Sequence, residues 1–178
     1  MEEKSKILNS DSFDRTLMRI SHEILENNSD ETELCVVGIL RRGATLARQI
    51  ADNLTKLSDK KIYLGSLDIT FYRDDLSESL PDPSIKNTNI DFPVTDKVVI
   101  IVDDVLFTGR TARAAMDAVL DIGRPRKIQL AVLVDRGHRE LPIRGDYVGK
   151  NVPTSRREMI SVRVPEYDGV KEAVILSL

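Results

Sequence analysis

The stretch VVIIVDDVLFTGRTARAAM, Val98 to Met116, limits what this chain can fold into more than any other feature. Five consecutive apolar residues demand burial on both faces. Two adjacent carboxylates, Asp103 and Asp104, then stand where the strand reads as ending, and a small turn, Thr108-Gly109-Arg110-Thr111, opens a segment of helical spacing. Two more runs, Leu34 to Leu40 and Ile128 to Val134, have the same continuous apolar character. Strands apolar on both sides and alternating with helices imply a parallel sheet covered by helices on both faces. The expected class is therefore α/β, a central mostly parallel sheet flanked by helices, with a small cap or hood.

Other elements follow from spacing. Phe13, Leu17, Ile20 and Ile24 predict a helix over Asp14 to Glu26, with Asp11-Ser12 as its cap. Arg41-Arg42-Gly43 turns into a second helix, with Ala44, Leu46, Ala47, Ile50, Ala51 and Leu54 inward. Ile62 to Phe71 alternates as a strand, and residues 72–96 are charged and aperiodic, which predicts a long, flexible loop. A helix over Arg110 to Asp121 closes at Gly123 and Pro125. The tail contains short strand-like pieces, read as a cap from about residue 136 to 178 over one end of the sheet.

With 178 residues and 41% hydrophobic content, the expectation is one domain spanning 1–178. Basic and acidic residues, 26 and 29, nearly cancel, so a nucleic-acid site must be a local patch. The lone Cys35 sits in an apolar run, and no apolar run approaches the roughly 20 residues needed to cross a bilayer. A cytoplasmic protein is expected, with no membrane partner.

In a parallel α/β sheet ligands bind at the carboxyl ends of the strands, which is where Asp103, Asp104 and the following turn lie. Backbone N–H groups at a helix N-terminus, with two hydroxyls and a glycine, suit a phosphate. Carboxylates so close to a phosphate are better used as acceptors for the vicinal hydroxyls of a ribose. Diol and phosphate together specify ribose 5-phosphate.

The stretch VVIIVDDVLFTGRT resembles the phosphoribosyl-pyrophosphate (PRPP) signature of the type I phosphoribosyltransferases. The resemblance implies that Asp103 and Asp104 hold the ribose hydroxyls, and that Thr108, Gly109, Arg110 and Thr111 hold the 5′-phosphate. GILRRGATLA resembles the family's pyrophosphate loop, which implies pyrophosphate contacts from Arg41, Arg42 and Gly43, with Arg41 standing where many relatives carry threonine. DITFYRDDL resembles the root of a flexible hood loop, and Arg73 there is expected to clamp the leaving pyrophosphate. Mg²⁺ is expected to be held mainly by PRPP oxygens, with no metal site built by the protein alone.

Relatives acting on hypoxanthine or guanine place an aspartate where this chain has Phe107, which disfavours a 6-oxopurine. Over nearly its whole length, through RISHE, DITFYRDD and IQLAVLVDRGHRELPIRGDYVGKNVPTS, the chain is similar to the bifunctional bacterial regulators of pyrimidine genes that also have uracil phosphoribosyltransferase activity. That likeness implies uracil as the base, with Val134, Asp135, Arg136, Tyr147 and Val148 around it. It also implies UMP- or UTP-dependent binding to a hairpin in the leader of pyrimidine messenger RNA, promoting transcription termination. Arg15, Arg19 and His22 form a polar stripe on the first helix, and His138, Arg139, Arg144 and Lys150 come from the segment resembling the RNA-contacting one. Met18 stands where relatives often have threonine. A homo-oligomer, dimer or higher, is expected. Two alternatives stay open: an RNA-binding regulator with negligible catalysis, and a transferase for another nucleobase without an RNA function.

Overall fold

The computed structural model describes residues 2–74 and 87–178. The central sheet has five parallel strands in the order β3-β2-β4-β5-β6: β2 Glu33–Ile39, β3 Lys61–Leu67, β4 Val98–Leu106, β5 Lys127–Asp135 and β6 Tyr147–Asn151. Its inner strands are apolar on both faces because both are covered. Val36, Ile100, Val102 and Leu133 pack beneath helices α1 (Ser10–Asn27) and α2 (Arg42–Leu57). Their neighbours Val37, Val99, Ile101 and Val132 pack beneath α3 (Arg110–Ile122), whose inner face is largely alanine. Small side chains let that helix lie close to the sheet.

A second sheet, antiparallel, forms the hood from β1 (Glu2–Leu8), β8 (Glu172–Ser177) and β7 (Glu158–Arg163), with a short helix α4 (Pro165–Asp168) between the last two. The hood is thus built from both ends of the chain. The spacing of apolar residues predicts no strand before residue 9, because only the last two residues of β1 are covered. Its register is held instead by backbone pairing to β8 and by cross-strand ion pairs, Lys6 with Glu172 at 2.6 Å and Lys4 with Glu158.

Several expectations change. The first helix starts at Ser10 rather than Asp14, because Asn9 caps it in a reciprocal box with Ser12. DYVGKN is no part of the cap: as β6 it extends the central sheet beside β5. Strand β4 runs four residues past Val102, so the two carboxylates lie inside it, with Asp103 in register with Val132. The expected loop of 72–96 is shorter at both ends. Thr70–Tyr72 is a 3-10 turn, Asn89 exchanges backbone hydrogen bonds with Ser66 at 2.9 and 3.0 Å, and Phe92 and Val94 are buried with the α3-side core. Residues 75–86, where about half of the expected flexible segment falls, lie outside the described residues. Among the described residues no helix is long and apolar enough to cross a membrane.

Candidate active site

The parallel strands β4 and β5 end on the same side, and a cleft of about 320 Å³ opens there. Arg73, Asp103, Phe107, the turn Thr108 to Thr111 and Glu140 line it, with Leu130 and Val132 as part of its apolar wall. One Asp103 oxygen accepts from the Asp104 N–H at 2.9 Å, and one Asp104 oxygen accepts from the Val105 N–H at 2.9 Å. These bonds leave the second oxygen of each carboxylate available. Burial, then the neighbouring charge of Asp104, pushes the Asp103 pKa well above the usual carboxylate range. Burial also raises Asp104, opposed by hydrogen bonds to its charged form and by the Arg42 guanidinium. Ionising both carboxyls side by side is therefore costly.

The turn that follows is shaped by Gly109, whose φ of 93° places it in the left-handed region and whose carbonyl accepts from Arg113 at 2.9 Å to begin α3. No side chain caps this helix through Gly109. The Arg110 N–H donates to the Thr108 hydroxyl at 3.3 Å, and the α3 N-terminus stands at the cleft with Thr108 and Thr111 lining it. The Arg110 guanidinium bridges Asp74 at 2.6 Å and Glu140 at 2.8 Å across the mouth.

Strand β2 delivers the Arg41-Arg42-Gly43 segment to the same end of the sheet. The Leu40–Arg41 peptide is cis, and Arg41 is exposed. Gly43 lies inside the first turn of α2 rather than in a loop. A Cβ there would fall 2.6 Å from the Val102 carbonyl and 3.2 Å from the Asp103 Cα, so glycine lets the helix press onto β4 beside the carboxylates. Arg42 is engaged by Asp168 of the hood through hydrogen bonds of 2.8 and 3.3 Å.

The residues expected around the base divide. Val134 is fully buried in the core under α1 and α2, and Tyr147 is 1% exposed in that core. The Tyr147 hydroxyl donates to Gln129 at 2.9 Å and accepts from Asn28 at 3.2 Å. Tyr147 sits opposite Ala131 in register, four residues short of the carboxyl end of β5, so it holds β6 in place and does not reach the cleft. Val148 is half-buried against the α3-side core. Asp135 accepts from the Gly137 N–H at 2.9 Å and pairs with Arg139. Arg136 is buried behind Phe107 rather than facing the cleft, its guanidinium carbon 4.1 Å from the ring centroid. Phe107, noted in the sequence only for what it excludes, is the aromatic surface that the cleft contains. Its position directly before the Thr108 to Thr111 turn is the signal that could have marked it.

The basic residues also divide. Arg15, Arg19 and Lys150 come together along a shallow groove of about 360 Å³ between α1 and β6. His138, Arg139 and Arg144 line a second one of about 410 Å³ with Asn151 and Pro153, past the other end of β6. His22 is exposed on α1 but lines neither of these grooves. Arg139 is not a free surface cation: it donates to the carbonyls of Phe107 at 2.7 Å and Ile143 at 2.8 Å. His138 meets the Phe107 ring edge-on at 5.8 Å and bonds the Thr154 carbonyl at 2.6 Å.

A parallel sheet carries a carboxylate pair and the Thr108 to Thr111 turn at its carboxyl end. The model of the phosphoribosyl transferase domain matches residues 4–166, and the chain belongs to that family. The protein called Bifunctional protein PyrR from Caldicellulosiruptor bescii is 56% identical over 178 residues, covering 100% of this chain and 98% of the relative. That of Clostridioides difficile strain 630 is 53% identical, covering 98% and 99%. At such identity over whole chains, the PyrR proteins are this chain's own branch of the family. Among solved structures, a hypoxanthine phosphoribosyltransferase of Trypanosoma cruzi superposes with a TM-score of 0.76 at 14% identity, over 98% of this chain and 97% of the other. A hypoxanthine-guanine phosphoribosyltransferase of Bacillus anthracis gives 0.71 at 18%, over 99% of each. These two share the fold.

Proposed function

We propose that the protein transfers the ribose 5-phosphate group of PRPP to uracil, giving UMP and pyrophosphate, and that it also binds the leader hairpin of pyrimidine messenger RNA under the control of UMP or UTP. The observation that carries the first part is that two adjacent carboxylates stand near the end of β4, and one of them, Asp103, lines a single cleft with the Thr108 to Thr111 turn and the Phe107 ring. Asp103 and Asp104 accept hydrogen bonds from the two ribose hydroxyls. The backbone of Gly109 to Thr111, with the Thr108 and Thr111 hydroxyls, holds the 5′-phosphate.

Cleavage of the C1′–O bond leaves positive charge on the ribose and negative charge on the departing pyrophosphate, as in other glycosyl transfers. The protein's task is to receive that negative charge and keep water out. Arg73 lines the cleft, and Arg41 and Arg42 start α2 at the same end of the sheet. Among the described residues no group of three His, Cys, Asp or Glu side chains is arranged to hold a metal. An Mg²⁺ ion would take most of its ligands from the pyrophosphate oxygens and water. Such an ion supplies neutralisation of the pyrophosphate oxygens. Phe107 offers no acid or base, which suits uracil, whose N1 proton needs only modest assistance.

The full-length similarity to proteins named bifunctional supports the second part, together with the two basic grooves flanking β6. Phosphate tracking by such grooves should be strongly salt-dependent. The buried Cys35, with its thiol pushed up to about 11 by burial, suits a reducing cytoplasm. The test is turnover of uracil and PRPP, set beside titration of a labelled leader hairpin with and without UMP. Turnover without hairpin preference leaves a salvage enzyme, and hairpin binding without turnover leaves a regulator.

A further inference from the structure

We infer that Phe107 is the stacking surface for the nucleobase and that Arg136 is the positioning residue that sets its plane. This rests on the reading of the cleft as a nucleobase site. Arg136 directly follows β5 and is 6% exposed, yet none of its hydrogen bonds points into the cleft. Nε donates to the Thr154 hydroxyl at 2.9 Å, and one Nη donates to the carbonyls of Ser155 at 3.1 Å and Glu158 at 2.8 Å. Held flat by these three acceptors, the guanidinium lies 4.1 Å from the Phe107 ring centroid. The Arg136 N–H donates to the Leu106 carbonyl at 3.0 Å, which ties the ends of β4 and β5 together just beside the ring.

His138 closes the arrangement. Its φ of 64° is rare for a side chain with a Cβ, and the ring so placed touches Phe107 edge-on while bonding the Thr154 carbonyl. Phe107 is thus fixed by a cation on its face and an imidazole at its edge, and the surface it keeps exposed, 39%, lines the cleft between Val105 and the phosphate turn. A ring buried on one side and open on the other, beside a phosphate site, is built to receive a flat partner. Desolvation lowers the Arg136 pKa somewhat, but the guanidinium stays charged at any physiological pH. The contact is therefore independent of pH across the working range.

Binding of UMP and of ribose 5-phosphate to the full chain separates base from sugar. Phe107→Leu should weaken UMP by about tenfold, the upper end of an aromatic contact, while ribose 5-phosphate changes by less than about twofold. Arg136→Met should weaken UMP to a similar degree in the Phe107 protein, but by less than about twofold in the Phe107→Leu background, because it acts through the ring. Phe107→Tyr should retain UMP binding. Multiplying effects in the double variant, or equal losses for both ligands, overturn the positioning role. If Arg136→Met does not fold, unchanged UMP binding in Phe107→Leu alone overturns the stacking surface. A wild-type protein that binds UMP no better than ribose 5-phosphate overturns the nucleobase reading itself.

Discussion

Arg42, at the start of α2, and Asp168, at the end of α4, are joined by two hydrogen bonds of 2.8 and 3.3 Å, so the N-terminus of α2 is fastened to the hood. The hydrogen bonds from Arg42 hold the Asp168 carboxyl below the usual carboxylate range, and Asp168 raises Arg42 in return. Under the proposed reaction this carboxylate competes with pyrophosphate for the Arg42 donors.

Asp168→Asn should therefore lower KM for PRPP a few-fold, since a neutral amide competes less well for the guanidinium, whereas Arg42→Gln should raise it. Steady-state kinetics on both variants decide it. If the two substitutions raise KM alike, the pair matters only for holding the hood. Because Asp168 is depressed, its contribution to stability is present above the ordinary carboxylate pKa and fades as the pH falls below it.

The carboxylate pair gives a trade between stability and activity. A carboxyl whose pKa is raised on folding keeps its proton longer in the folded chain, so its cost appears only as pH rises above the unfolded value of about 4. Asp103→Asn should gain about 1 kcal/mol at pH 8, a gain that vanishes near pH 4. Urea melts across that range measure it. Asp104→Asn should reduce kcat/KM for PRPP by about 100-fold through loss of a charge-assisted ribose contact. Near-normal kinetics in that variant would falsify the diol assignment.

For the RNA surface, Arg15→Gln with Lys150→Gln should abolish hairpin binding and leave UMP synthesis within about twofold, since that groove lies outside the cleft. Arg139→Gln is expected to behave differently. By releasing the Phe107 carbonyl it should impair uracil use as well. A doubled salt concentration should weaken hairpin binding by the unmodified protein severalfold, and UMP should strengthen it. Equal affinity for an unrelated hairpin in every condition removes the regulatory half of the proposal.

Gly43→Ala should cost about 1–3 kcal/mol, because the added methyl falls on the Val102 carbonyl and the helix must shift. As the same shift displaces Asp103, kcat/KM should fall with stability. A variant that is destabilised but fully active, measured below its melting temperature, would show that α2 and β4 move independently of the carboxylates.

The α/β class and the ribose-phosphate chemistry could be read from the chain because both rest on local pattern. Continuous apolar strands such as Val98 to Val102 require cover on both faces, and Asp103-Asp104 with Thr108 to Thr111 places donors and acceptors within a few residues of one another. The hood could not be read this way. Strand β1 is charged and exposed, and its register comes from partners some 170 residues away, Lys6 meeting Glu172 only after the termini are brought together. Tertiary packing also decided which side chains face the cleft. Tyr147 and Val134 sit in strands pointing to the α1 side and are buried there, while Phe107 and Arg136, distant in sequence, stack because β4 and β5 end together. Periodicity tells which residues share a face of one element, but which faces meet depends on strand order and register, set by the whole core.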